Sequence, residues 1–422
     1  MEDSTEKKER RLRLKGDTGI WITVFFLIFI SLIEVFSASS RLTFGKASYL
    51  RPFISHSIHL AMGVAVMYVL HLFHYKWYKL IPVILLPISA ILLAYLSFSG
   101  SGSGARWIDL GVFKLQPSEL GKVAVVMAVA SWLSKLKPDD ELSQIKTFRT
   151  ILITTVLFCL LIFTENLSTA VLLGAVVYVM MIVGGISWKR ILALTGVVAV
   201  IGAGALVLML SLTPQAMRES KFIPERAVTW QARIKDKLQH GTEVRESAYE
   251  YARNTAPEKP QETHANIAIA TSHFLGKGLG NSVERDYLQE ASCDFIYAII
   301  IEEGGMLGGL VVLILYMYLL FRIGRIAARC REKYPAYLAI GLGVMLGLQA
   351  FVNMSVATGL FPVTGQPLPL ISNGGTSVLV CSACIGMLQG ICSTLDREKA
   401  AAQEQQPGVP EVIDSDDTFD NQ

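Results

Sequence analysis

The residues best suited to chemistry lie in a stretch that runs from a polar loop straight into an apolar segment. It extends from Gly276 to Gly305 and reads GKGLGNSVERDYLQEASCDFIYAIIIEEGG. Asp294 stands where the apolar run begins, and a carboxylate at the mouth of a membrane helix has a desolvation cost that a purely structural segment avoids. Two interpretations stay open: Asp294 caps the helix that follows, or it takes part in a reaction.

A second polar segment, Gly100 to Glu119, reads GSGSGARWIDLGVFKLQPSE. Its Pro-Ser-Glu end suits the first turn of a helix, where proline and acidic residues are favoured. That explanation does not cover Arg106, nor Lys122 one turn further on. Glu119 and Lys122 are spaced to form an ion pair on one helix face, although such a pair is costly below a membrane surface.

The composition indicates a membrane protein. The chain has 422 residues, of which 52% are hydrophobic and only 17% are charged, too apolar for an ordinary soluble protein. Its six cysteines predict no disulfide framework. The CxxC formed by Cys381 and Cys384 has no second pair with which to complete a zinc site.

The apolar runs predict an all-α polytopic protein with about ten transmembrane helices. The predicted spans are 19–38, 55–73, 79–97, 118–135, 148–164, 166–185, 190–211, 294–321, 337–358 and 376–394. Basic residues fall in alternate connections, so the positive-inside rule places both termini in the cytoplasm. The segments discussed above then lie on the outer side.

The predicted organisation has three parts. A cytoplasmic N-terminal tail covers residues 1–18, the ten-span domain covers 19–394, and a disordered cytoplasmic tail covers 395–422. The domain contains a large outer loop, 213–293, between helices 7 and 8. Within that loop Trp230, Ile234 and Leu238 recur at helical spacing, which indicates an amphipathic helix on the membrane surface or one packed on the spans.

Three motifs together resemble the SEDS family of membrane proteins. They are GARWIDLG followed by KLQPSELGK, GKGLGNS followed by YLQEASCDFIYAII and EEGG, and GLFPVTGQPLPLISNGGTS. The likeness covers nearly the whole span region, in the same order and with ten spans. GLGNS is more similar to the cell-division branch than to the elongation branch.

The resemblance implies a peptidoglycan glycosyltransferase that polymerises lipid II on the outer face of the bacterial inner membrane, at the septum, with a class B penicillin-binding transpeptidase and other division proteins. The family's functional aspartate falls on Asp294. Its remaining site positions, expected to bind substrate, fall on Arg106, Trp107, Glu119, Lys122, Lys277 and Glu290.

The chemistry of glycosyl transfer assigns roles to these residues. Asp294 is expected to accept the proton of the attacking sugar hydroxyl. Arg106 and Lys277 are candidate ligands of the departing pyrophosphate, or cations at headgroup level. Trp107 is an interfacial anchor or a sugar platform. No metal-ligand or nucleotide-binding motif occurs, so no cofactor is certain; a divalent cation stays an option, and no nucleic acid partner is expected.

Several positions depart from the family pattern, and two other functions stay open. Ser292 and Cys293 stand where the family usually has His and Thr, and Asn373 replaces a usual Tyr. A catalytically silent division scaffold is therefore one alternative. The other is a flippase for lipid-linked precursors, which needs a polar path across the membrane, whereas a polymerase needs its ionisable groups on one face.

Overall fold

The computed structural model describes residues 16–39, 51–98, 107–109, 114–163, 165–211, 231, 260–288 and 291–404. These residues form helices, with one two-stranded hairpin near the outer face. The helices are α1 Thr18–Ser39, α2 Arg51–Leu72, α3 Ile81–Phe98, α4 Pro117–Ser134, α5 Glu141–Phe163, α6 Leu167–Val183, α7 Trp188–Ser211, α8 Pro260–Thr271, α9 Ile296–Arg329, α10 Lys333–Ala357 and α11 Gly375–Glu404.

Ten of these helices coincide, in order, with the ten predicted spans, so the predicted all-α polytopic fold is confirmed. Eight are long and apolar enough to cross a membrane by length and composition. The other two are α6, which has 17 residues, and α4, which has 18 and carries Glu119 and Lys122. The remaining helix, α8, has 12 residues and belongs to the outer loop.

Helix α4 lies at the centre of the bundle. It packs against α3, α5, α6, α10 and α11, and its side chains from Pro117 to Ala130 are buried apart from Leu120. Burial on every side explains why this helix has no polar stripe. Its two charged residues therefore lie inside the protein.

Polar contacts around Asp17 tie three helices together at one end of the bundle. The backbone N–H of Asp17, just before α1, donates to Gln389 Oε1 of α11 at 2.7 Å. Arg322 of α9 donates to Asp17 Oδ2, also at 2.7 Å. The start of α1 and the ends of α9 and α11 therefore share one face, as an even number of crossings requires.

Helix α11 continues to Glu404. The first ten residues of the tail predicted to be disordered, 395–404, are therefore helical, and residues 405–422 lie outside the described residues.

The hairpin stands beside the start of α4. Strand β1, Ile108–Asp109, pairs antiparallel with β2, Lys114–Leu115. Thr376 at the start of α11 fixes it, because its hydroxyl donates to Lys114 O at 2.5 Å and accepts from the N–H of Gln116 at 3.2 Å. The hairpin thus places Trp107, which is 43% exposed, at the outer surface.

Candidate active site

Asp294 lies in a turn immediately before α9. The residue at the N-cap position is Phe295, whose carbonyl accepts the first helical hydrogen bond, from Ala298 N–H at 3.0 Å. Asp294 is half-buried and precedes the cap. The structure therefore does not place Asp294 at the capping position that was one interpretation of the sequence.

Three successive carbonyl groups fix this turn. The contacts are Asn373 N–H to Ser292 O at 2.8 Å, Ser372 Oγ to Cys293 O at 2.6 Å, and Asn353 Nδ2 to Asp294 O at 2.9 Å. Two of the donors belong to the irregular segment between α10 and α11, and the third belongs to α10. The backbone that carries the Asp294 carboxyl group is thus held on two sides.

The irregular segment between α10 and α11 is itself held by the surrounding helices. Its contacts are Ser31 Oγ to Ile371 O at 2.7 Å, Tyr316 OH to Pro369 O, and Gln366 Nε2 to Thr169 Oγ1 at 2.6 Å. Non-helical backbone at membrane depth is tolerated where protein groups satisfy it. Helices α1, α6 and α9 supply those groups here.

Two residues that depart from the family pattern contact each other. The thiol of Cys293 donates to the carbonyl of Asn373 at 3.0 Å, and Asn373 N–H donates back to Ser292 O. On the other side of the segment, buried His56 of α2 is hydrogen-bonded to Ser31 at 2.7 Å. The altered positions therefore pack together beside Asp294.

Glu119 and Lys122 of α4 form an ion pair that is buried in the centre of the bundle. Lys122 Nζ lies 2.7 Å from Glu119 Oε1, and both side chains are at most 2% exposed. Lys122 also donates to Gln349 Oε1 of α10, at 3.4 Å. A buried pair this complete is a fixed charge arrangement, since separating it would leave an uncompensated charge.

Lys277 is paired with a buried carboxylate. Its Nζ lies 2.5 Å from Glu302 Oε1, and Glu302 is fully buried, whereas the Lys277 side chain is 27% exposed. Ser282 Oγ and the backbone N–H groups of Val283 and Glu284 also donate to this carboxylate. Lys277 thus faces both the protein interior and the outer side.

Glu303 receives a second set of donors. Ser37 of α1 donates to its Oε1, Gly280 N–H donates to its Oε2 at 2.9 Å, and Arg285 Nη1 lies 3.8 Å from Oε1. We refer to residues 273–288 as the docked loop. The sequence predicts that at least one of Glu302 and Glu303 faces a polar cavity. In the structure the docked loop fills that space and binds both carboxylates.

The docked loop pairs with α9 where that helix is broken. Gly305 has φ 70° and ψ −173°, which interrupts the helical path. Lys277 N–H and Gly278 N–H donate to the carbonyls of Glu302 and Glu303, both at 2.9 Å. The break therefore exposes carbonyl groups that the loop satisfies.

The structure separates the predicted site residues into groups. Asp294 lies just before the outer start of α9. Glu302, with its partner Lys277, lies about 9 Å further along the helix, a length measured from Ile296 at about 1.5 Å per residue. Two predicted residues, Arg106 and Glu290, and the predicted amphipathic helix over Trp230, Ile234 and Leu238 lie outside the described residues apart from Gln231. The described residues contain no group of three His, Cys, Asp or Glu side chains arranged to hold a metal.

Sequence reasoning missed several polar residues of the site. Ser31 and Ser37 lie three residues before and after Glu34 on α1, and all three are buried, so this spacing could have identified the two serines. Asn353 and Gln349 on α10 are also buried, at 1% exposure each. Arg149 lies within the predicted span 148–164, where a transporter would need it buried, and the structure shows it exposed on α5.

Charged residues are absent from the middle of the bundle's described helices. Helix α9 carries none from Met306 to Phe321, and α4 carries none from Val123 to Ser134. The buried acidic and basic groups lie near the outer ends, as with Glu34 and Lys122, or at the cytoplasmic end. This arrangement favours a reaction on one face over a polar path across the membrane.

The fold and the polar groups define a multi-pass membrane protein with a structured site at its outer face. The chain belongs to the FtsW/RodA/SpoVE family, described as "Cell cycle protein", because the model of that family matches residues 17–396. This membership confirms the resemblance seen in the sequence.

Relatives agree with this membership, and solved structures share the fold. The probable peptidoglycan glycosyltransferase FtsW of Nitrosomonas europaea is 32% identical over 379 residues, which cover 87% of this chain and 90% of that protein. A solved peptidoglycan synthase complex, described as coordinating polymerization and crosslinking, has a chain that matches with a TM-score of 0.70 at 21% identity, covering 91% of this chain and 98% of that one. The rod shape determining protein RodA of Thermus thermophilus matches with a TM-score of 0.59 at 20% identity, covering 89% and 96%.

Proposed function

We propose that this chain is a peptidoglycan glycosyltransferase that polymerises lipid II on the outer face of the inner membrane during cell division, with Asp294 as general base. The observation that carries the proposal is the position of Asp294. Asp294 stands at the outer mouth of a spanning helix, before the N-cap residue, on a turn whose backbone is held by three hydrogen bonds. Family membership supplies the class of reaction.

The reaction is a single displacement. The hydroxyl oxygen of the acceptor sugar attacks the anomeric carbon of the donor, and the bond from that carbon to the lipid pyrophosphate breaks. Asp294 accepts the hydroxyl proton as the new bond forms. The pyrophosphate leaves with the electron pair, and inversion at the carbon follows without a covalent enzyme intermediate.

Cations stabilise the charge that develops on the pyrophosphate. Lys277 remains suited to this role, because an ammonium group has three N–H donors and its contact with Glu302 uses one of them. Arg106 would supply a bidentate contact. Trp107 and Glu290 complete the proposed direct contacts with substrate, and the buried Glu119–Lys122 pair supports the site from inside the bundle. A divalent cation at the pyrophosphate is one further option.

The proposed partner is a class B penicillin-binding transpeptidase, together with other division proteins at the septum. The likeness to a chain of a peptidoglycan synthase complex motivates this assignment. An apolar groove between α9 and α10 offers a place for a single partner helix, and its lining includes Met317, Gly324, Gly343, Gly347 and Phe351. Small residues at such a groove allow close helix approach in a membrane.

The test is Asp294→Asn in purified protein assayed with labelled lipid II and the transpeptidase. Asparagine keeps the size and the backbone contacts, but it removes the proton acceptor. We expect polymerisation to fall about 10²- to 10⁴-fold while lipid II still binds. Asp286→Asn is the matched control, because Asp286 lies in the docked loop with a side chain that is 50% exposed.

The outcomes separate the candidate functions. A near wild-type rate for Asp294→Asn would remove Asp294 from the base role and make Glu290 the next residue to test. A chain that translocates lipid II but never polymerises it would be a flippase. A wild-type chain that does neither and still supports division would be a scaffold.

A further inference from the structure

The side chain of Asn353 joins three parts of the chain. It lies on α10 and is 1% exposed. Its Nδ2 group donates to Asp294 O at 2.9 Å and to Gln366 O at 2.7 Å. One buried amide therefore connects α10, the turn that carries Asp294, and the irregular segment before α11.

The contact with Asp294 differs from the other two contacts of that turn. The carbonyls of Ser292 and Cys293 are bound by the irregular segment, which is not helical. The carbonyl of Asp294 is bound by a helix. Sites built on helices are held more accurately than sites on loops, so α10 sets the orientation of the peptide plane that follows Asp294.

One turn earlier on the same face of α10, Gln349 makes a parallel set of contacts. Its Nε2 donates to Pro367 O at 3.2 Å, and its Oε1 accepts from Lys122 Nζ at 3.4 Å. The two amides thus bind neighbouring carbonyls, those of residues 366 and 367. Through them α10 links the Asp294 turn to the buried ion pair of Lys122.

Two buried side-chain amides beside the turn carry oxygen atoms that the described part of the chain leaves without hydrogen-bond partners. These are Asn353 Oδ1 and Gln366 Oε1, both buried. An unsatisfied buried acceptor is unfavourable, so the Asn353 side chain has a cost at Oδ1 that its two contacts through Nδ2, with Asp294 O and Gln366 O, must offset. A polar residue here therefore has a reason other than packing.

We infer that Asn353 is a positioning residue for Asp294 and holds the proposed base in register with the Lys122–Glu119 pair. The inference rests on the proposed function. Asn353 does not meet the reacting atoms in this geometry; it acts through the backbone of Asp294. A misplacement of about 1 Å in such a group lowers the rate by about 10²-fold.

The test replaces Asn353 with Leu, which is similar in size and donates nothing. We expect kcat for lipid II polymerisation to fall about 10- to 100-fold, with KM changed less than about threefold, because substrate contacts remain. Asn353→Gln keeps the amide one methylene further out. It should fold, and it should show an intermediate kcat.

Gln389→Leu is the matched control. Gln389 is a buried amide that also makes two hydrogen bonds to a backbone, those to Asp17 N–H and Asp17 O, but at the cytoplasmic end. Its loss should lower the unfolding temperature in detergent and leave kcat unchanged. A merely structural role for Asn353 predicts the same pattern for both leucine variants.

The outcomes distinguish this inference from the proposed function. An inactive wild-type protein would contradict the proposed function. An active wild type and an inactive Asp294→Asn, together with folded Asn353 variants whose kcat stays within about twofold, would overturn the positioning role. If Asn353→Leu does not fold, as judged by gel filtration, kcat of Asn353→Gln decides between the same two results.

Discussion

Lys277 has two possible partners, the buried carboxylate of Glu302 and the pyrophosphate of a bound substrate. The structure gives the first at 2.5 Å. Removing the lysine leaves Glu302 without its cation inside the protein. A loss of activity in Lys277→Ala would therefore be ambiguous without a measurement of folding.

A double variant resolves the two roles of Lys277. We expect Lys277→Ala to lower the free energy of unfolding by about 1–3 kcal/mol, less than for a fully buried pair, because this lysine is 27% exposed. Adding Glu302→Gln should recover most of that loss, since no charge is then left unpaired. Thermal unfolding in detergent measures both effects.

Binding then tests the substrate role of Lys277 separately. If its ammonium group contacts the pyrophosphate, the stable double variant should still bind lipid II about 10- to 150-fold more weakly, the equivalent of one charge-assisted hydrogen bond of roughly 1.5–3 kcal/mol. Wild-type affinity in the double variant would restrict Lys277 to a structural role.

At the scale of residues, the sequence predicted contacts within one helix better than contacts between distant segments. The spacing of Glu119 and Lys122 was enough to predict their ion pair, because both lie on one helix face. The pairing of Lys277 with Glu302 was not predictable, since 25 residues separate them and the contact depends on how the loop folds back. Asn353 gave no signal at all, as its neighbours in sequence are apolar.

At the scale of elements, the break in α9 is the feature that organises the outer half of the bundle. Gly305 and Gly276 approach so closely that a Cβ on Gly305 would lie 2.2 Å from Phe274 O, and one on Gly276 would lie 2.2 Å from Glu303 O. Both residues have positive φ. No other residue type fits these two positions without moving the backbone.

Neighbouring glycines give a matched pair of variants for this break. We expect Gly305→Ala to destabilise the protein by about 1–3 kcal/mol from backbone strain alone and to undock the loop. Gly304→Ala should be neutral or stabilising by up to about 1 kcal/mol, because a Cβ there meets nothing within 4 Å. Unfolding temperature and the rate of proteolysis within residues 273–288 measure the two effects.

Equal stability and equal protease resistance in the two alanine variants would contradict the assigned role of the break. Part of this break could be predicted from the sequence, because the two glycines of EEGG are residues that weaken a helix. One further turn had no signal in the sequence, because His273 adopts a positive φ of 55°, which is uncommon for a residue other than glycine. Local propensity alone did not identify that turn.

At the scale of the whole molecule, the sequence predicted the bundle and not its irregular parts. Each apolar run has a length set by membrane thickness, so each of the ten spans could be predicted from its own segment of sequence. The segment before α11 follows no such rule. Its path depends on Ser31, Tyr316 and Asn353, which come from three different helices.

The orientation of the bundle decides whether Asp294 faces outward, and cysteine labelling can test it. The native thiols are poor reporters. Burial raises the pKa of Cys330 to about 11, so roughly one thiol in 10³ is a thiolate at pH 8, and the thiolate is the reactive form. Cys293 is half-buried, and its thiol is hydrogen-bonded to Asn373 O.

Two exposed positions serve as reporters in the otherwise native chain. Leu279 of the docked loop is 63% exposed, and Arg331 is exposed in the connection between α9 and α10. An impermeant maleimide added to intact spheroplasts should label Leu279→Cys and should label Arg331→Cys only after lysis.

The unaltered chain, as control, should label weakly in both conditions at pH 7. After lysis, the labelling rate of Cys330 should rise about tenfold for each unit by which the pH is raised, as long as the pH stays below the pKa of its thiol. Labelling of Arg331→Cys in intact spheroplasts would reverse the topology, and Asp294 would then face the cytoplasm, where the proposed reaction does not occur.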